Sequence, residues 1–130
     1  MTRTRLGMPL AAAIAVVAVV TLAGCVPQKN PVATFQVVDE TYRIELATPE
    51  LVQHARDLLA GEEVASIPNG EVVRDDPGVN APWSWHIDPA TLEFADMTIE
   101  VCDGLPSYVE DGTVTSERYC PWSAEIVSID

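Results

Sequence analysis

The sequence predicts an α+β domain: a mostly antiparallel β-sheet with one packed α-helix and one disulfide. Three observations point that way. Apolar residues alternate with period two through most of the chain beyond residue 34. A single segment, residues 48–63, carries a helical stripe with start and stop signals. Two cysteines, Cys102 and Cys120, remain once the leading segment is set aside.

The leading segment reads as an address. Arg3 and Arg5 precede an apolar run from Leu10 to Ala23, 14 residues that fall short of the ~20 needed to span a bilayer. Leu22-Ala23-Gly24-Cys25 resembles the bacterial lipoprotein processing box. That resemblance implies a diacylglyceryl thioether on Cys25 and a cut before it. Two acyl chains hold a protein durably where one gives only marginal binding. The expected organisation is a signal peptide over 1–24, a lipidated Cys25 with a tether to residue 34, and a single domain over 35–130. The expected location is the outer face of the cytoplasmic membrane, or an outer membrane where there is one.

All 20 acidic residues lie beyond Cys25, against five of the seven basic ones. So acidic a body is repelled by nucleic acid and by anionic headgroups. Apart from the membrane itself, expected partners are an envelope protein, a sugar or a cation. The acids are spread along the chain, as on a solvated surface. In an exported domain Cys102 and Cys120 pair as a disulfide, stabilising by roughly 3 kcal/mol on the chain-entropy model.

The elements follow in order. In "TFQVVDETYRIELATP", Phe35 and Val37, then Tyr42, Ile44 and Leu46, repeat with period two around Asp39-Glu40 and predict a β-hairpin whose turn lacks glycine. In "TPELVQHARDLLAGEE", Thr48 is the N-cap, Pro49 the first helical residue and Glu50 the dipole partner. Leu51, Val52, Ala55, Leu58 and Leu59 form its apolar stripe, Gly61 ends it, and His54 is placed on the surface. A turn at Asn69-Gly70 leads to a short strand at Val72-Val73 and a Pro/Gly loop. "WSWHI" is a strand stopped by Asp88-Pro89. Phe94, Met97, Ile99 and Val101 continue the sheet, "LPSYVEDG" is one helical turn or a loop, and "RYCPWSAEIVSI" is a last strand.

The stretch "APWSWHIDP" holds the residues most suggestive of chemistry. On a strand, Trp83, Trp85 and Ile87 share one face, and Ser84, His86 and Asp88 the other. Same-face neighbours lie about 6.5–7 Å apart along a strand, and a nucleophile–base bond needs about 2.6–3.2 Å. A triad within this stretch is therefore not expected, and no Gly-x-Ser-x-Gly elbow occurs. Zinc needs more than His54 and His86 add to two cysteines already paired, and no EF-hand loop occurs. No cofactor is expected. Trp83, Trp85, His86 and Asp88 stand as candidate ligand-binding residues.

Pro82-Trp83-Ser84, His86, Asp88-Pro89, Ile99-Glu100-Val101-Cys102-Asp103 and Cys120-Pro121-Trp122 together look like a known family. The chain resembles, from about Phe35 to Ile129, the N-terminal domain family named after a calmodulin-binding protein of social amoebae, found also in bacteria. It departs at Gly112 to Tyr119, which is shorter than the family's usual insert. The resemblance implies a small standalone domain in which the Trp83–Asp88 strand and the cysteine pair belong to one framework. Calmodulin binding normally uses a basic amphipathic helix, so that property is not carried over to this acidic chain. The expected function is a non-enzymatic binding module on a lipid anchor. Two alternatives are a small hydrolase or lyase gathering His86 with Asp88, Glu100 or Asp103, and a divalent-cation-binding domain.

Overall fold

The computed structural model describes Gly7, residues 16–20 and residues 24–130. Most of residues 1–24, the stretch read as a signal peptide, lies outside the described residues, and no described helix is long and apolar enough to cross a membrane. Cys25 is exposed and unpaired.

Two antiparallel sheets make the domain. The first has order β2-β1-β7, from β1 (Val32–Val37), β2 (Glu40–Glu45) and β7 (Ala124–Ile129). The hairpin forms in the expected register, with Phe35 opposite Tyr42. Its two-residue turn places Val38 at φ 59°, the position where a glycine would be free of strain. β1 begins at Val32, inside the stretch read as tether, because Val32 and Asp130 exchange backbone hydrogen bonds at 3.0 and 2.9 Å.

Helix α1 (Pro49–Leu59) packs on β7. Thr48 Oγ1 accepts from the Leu51 amide at 3.2 Å, as an N-cap does. At the other end Gly61 N donates to Leu58 O and Glu62 N to Asp57 O, with Gly61 at φ 81°. These are the two bonds of a Schellman stop. His54 departs from expectation. It is half-buried, stacked on Phe94 at 4.4 Å, and its Nε2 donates to the Ala65 carbonyl at 2.6 Å.

The second sheet is built around β3 (Ile67–Arg74), which pairs along its length with β5 (Glu93–Ala95), β6 (Arg118–Tyr119) and β4 (Trp85–Ile87). Three expectations fail here, each for a non-local reason. Asn69-Gly70 is strand interior and not a turn, because Asn69 pairs with Glu93 of β5 and Gly70 with Tyr119 of β6. Gly70 is there for closeness, since a Cβ would collide with the Ile87 methyl. β5 stops at Ala95 because its partner Ile67 is the first residue of β3, so Met97–Val101 has no strand to join. "RYCPWSAEIVSI" is two strands in different sheets, broken at Cys120-Pro121, where the disulfide fixes one residue and the next has no amide proton.

The sheets meet in an aromatic core. Tyr42 stands 5.9 Å from Trp85 and 5.2 Å from Tyr119, and Phe35 lies 6.2 Å from Phe94. Burial holds the Tyr42 phenol well above its usual pKa, with Tyr119 adding to the shift. Burial, then Asp103 and Glu40, raises Tyr119 in the same direction. Asn80, fully buried, ties the sheets together: its Oδ1 accepts from the Arg43 amide at 2.8 Å and its Nδ2 donates to the Trp85 carbonyl at 2.9 Å. Short helix α2 (Pro106–Glu110) is clamped at both ends by Ser–Glu pairs. Ser107 N and Oγ donate to Glu40, and Ser84 N and Oγ donate to Glu110.

Candidate functional site

The four candidate residues of the tryptophan stretch do not converge on an open site. Trp85 is a core residue, 1% exposed, and its indole N–H finds no protein acceptor. Trp83 precedes β4 in the loop after the cis Ala81–Pro82 bond, half-buried, and its Nε1 donates to the Thr41 carbonyl at 2.8 Å. His86 Nδ1 donates to the Asp76 carbonyl at 2.7 Å, which fixes the tautomer because a carbonyl only accepts. Asp88 caps the 3-10 turn Pro89–Thr91 through the Ala90 amide at 3.0 Å.

The carboxylates considered alongside His86 are equally committed or elsewhere. Among the described residues, Asp76 at 3.9 Å is the one carboxylate near a His86 nitrogen. Asp103 accepts from the Trp122 amide at 2.8 Å, and Glu100 stands exposed on another segment. The Ser84–Glu110 pair borders a pocket of about 220 Å³ whose Arg74 guanidinium donates to the Val109 and Val114 carbonyls. That serine has a carboxylate partner that already holds its own amide, and no imidazole is bonded to either. Among the described residues, no three His, Cys, Asp or Glu are grouped to hold a metal ion.

The open surface lies where a continued strand was expected. Met97 is 86% exposed, Ile99 68%, Val101 65% and Trp122 44%. Single exposed apolar residues are ordinary, whereas a contiguous group marks a contact surface. Met97 and Thr98 line a groove of about 370 Å³ with Ile67 and Trp122, and with Ile99 and Cys102 they also line a second of about 290 Å³. The segment, termed the ridge, thus contributes Met97 and Thr98 to both grooves.

Its shape is held from beneath. The Cys102–Cys120 disulfide, with Cα atoms 5.0 Å apart, joins the ridge to the chain before β7. Cys120 N donates to Cys102 O at 2.7 Å, and the Trp122 indole N–H donates to Thr98 Oγ1 at 2.7 Å. With the Asp103 bond, these ties fix both the ridge and the indole plane. Tyr119, next to Cys120, donates its hydroxyl to the Gly104 carbonyl at 2.8 Å. Asp96, just before Met97, and Glu100, which opens a 3-10 turn over Glu100–Cys102, both stand exposed.

Sequence reasoning missed this surface because the alternation of Met97, Ile99 and Val101 is the same for a half-buried strand and for an unpaired segment. The one local signal was the "CPW" that follows the second cysteine, which ties a tryptophan to the disulfide.

Comparison with characterised proteins finds no match, and comparison with solved structures finds none. A family model does match, over residues 29–130, nearly all of the described domain. The departure at Gly112–Tyr119 lies within that span. On this match the chain belongs to the BP-74 N-terminal domain family.

Proposed function

We propose that the protein is a non-enzymatic interaction module of the bacterial cell envelope, held by lipid at Cys25 and contacting a partner through the Met97–Val101 ridge and Trp122. The observation that carries this reading is the exposure of four large apolar side chains, three on the Met97–Val101 segment and one at Trp122, tied together by a disulfide and three hydrogen bonds. A rigid apolar surface binds without first losing conformational freedom. Support for the anchor is independent: the Leu22–Cys25 box, an exposed Cys25, and an irregular tether of residues 26–31 before β1.

A photocrosslinking side chain placed at residue 99 in cells tests the contact, with residue 113 as the control. The expected result is one discrete adduct at residue 99, absent at 113 and lost when Met97→Ser is added. Equal labelling at both positions overturns the reading. The anchor is tested separately by palmitate incorporation, expected in the natural chain and abolished by Cys25→Ser.

A further inference from the structure

The geometry points to a cationic amphipathic segment of another protein as the occupant of this ridge. The inference rests on the ridge being the contact surface and adds the chemistry of what it contacts.

The argument is one of charge set against apolar shape. Asp96 lines the groove that holds Met97 and Trp122, Glu100 falls between Ile99 and Val101, and Asp103 lies at the ridge base. The cations nearby are not available to balance them. Arg118, which lines the other groove, donates to Asn69 at 2.8 Å and pairs with Glu93 at 3.5 Å. Arg74 is bonded to two carbonyls and Arg43 pairs with Asp130 at 3.5 Å. Among the described residues that leaves Lys29 in the tether and Arg56 on α1, neither lining either ridge groove.

The ridge therefore offers apolar anchors with uncompensated acids beside them in the chain and, at Asp96, in the same groove. A second copy of this chain would set the same acids against themselves, and like charges across an interface are costly. An anionic membrane surface is disfavoured for the same reason. The larger groove is lined by Ile67, Met97 and Trp122 with Asp96 and Thr98, apolar surface beside one acid, and the Thr98 hydroxyl already accepts from the Trp122 indole. A segment with apolar residues on one face and Lys or Arg beside them matches both features at once, in the manner of a helix laid along a groove.

The test uses the full chain in neutral-lipid nanodiscs, with empty nanodiscs as the blank. A fluorescent 18-residue Lys/Leu amphipathic peptide is the probe and its Glu/Leu counterpart the control, both read by anisotropy. The Lys/Leu peptide is expected to bind at least tenfold more tightly than the Glu/Leu one. Its affinity is expected to fall several-fold as salt rises from about 50 to 200 mM, because exposed charges are screened. Asp96→Asn with Glu100→Gln should weaken it and flatten the salt dependence. Met97→Ser with Ile99→Ser should weaken it at least tenfold, while Met97→Leu retains it. A Glu/Leu peptide that binds as well, and is still lost with the Met97/Ile99 variant, overturns the cationic partner and leaves the contact surface standing. Binding of either peptide that ignores the Met97/Ile99 variant overturns both. A dimer in sedimentation equilibrium that the same variant dissolves makes a second copy the occupant and overturns the proposal.

Discussion

The strand Trp85–Ile87 with its flanks and the ridge Met97–Val101 are neighbours in sequence and opposites in use. The first carries Trp, Ser, His and Asp, the side chains from which sites are usually built, and the fold binds them all. Trp85 fills the core, Trp83, Ser84 and His86 make hydrogen bonds to other segments, and Asp88 caps a turn. The second carries Met, Ile and Val, ordinary core residues, and the fold leaves them in solvent. Residue type proposes chemistry, but a side chain is available for function only when the fold has not already bonded or buried it.

Trp85→Ala gives the largest effect and tests the first half of the comparison. Removing an indole buried against Tyr42 and Tyr119 should cost about 3–5 kcal/mol. Urea unfolding followed by circular dichroism measures it, and a loss under about 1 kcal/mol would move Trp85 out of the framework. Next comes Cys102→Ala with Cys120→Ala. The pair closes a separation of 18 residues, so roughly 3 kcal/mol should be lost on the chain-entropy model. The discriminating readout is proteolysis of the intact fold: cleavage should begin at residues 96–103 and spare β4. Cleavage that begins in β4 would mean the disulfide braces the strand and not the ridge.

Alkaline pH attacks the buried tyrosines of the framework. Both Tyr42 and Tyr119 have folded pKa values raised above the ~10 of an unfolded tyrosine. Their contribution is therefore complete below pH 10 and is lost as pH rises above it. The slope is up to about 1.4 kcal/mol per pH unit for each phenol. Stability at pH 9, 10 and 11 checks this, and Tyr119→Phe should make the fall shallower. An unchanged slope in that variant would take Tyr119 out of the buried set.

How much of this was legible in the sequence follows from how local each feature is. The hairpin around Asp39-Glu40, the Thr48 cap, the Gly61 stop and the cysteine pair are decided within a few residues or by elimination, and all were readable, although β1 begins three residues earlier than Phe35. The division into two sheets was not, because it depends on what β3 meets across the fold. Asn69-Gly70 has the composition of a turn, and only its distant partners Glu93 and Tyr119, with the Ile87 methyl against Gly70, show why a glycine sits in a straight strand there. Asn80 sits in a Pro/Gly-rich stretch that reads as loop, yet it joins the two sheets through partners 37 residues back and 5 residues on. The candidate site fared worst. Alternation predicts a strand wherever a partner strand exists, and the end of β3 at Ile67 is invisible at Met97.

The smallest expected effect is the one on which the comparison turns. Met97→Ser and Ile99→Ser, singly or together, should change stability by no more than about 0.5 kcal/mol per substitution, the range of surface changes away from caps and cores. Neither side chain is enclosed, and the bonds that hold the ridge run through the Cys102 and Cys120 backbone, Thr98 Oγ1, Asp103 and the disulfide. Urea midpoints with unchanged slopes measure the difference. A loss of about 2 kcal/mol or more would mean that the ridge is packed and not presented, and the distinction between the two regions would collapse. A change within that margin, with partner contact abolished, separates them cleanly: Trp85 could then be removed only at the expense of the fold, and Ile99 only at the expense of what the fold displays.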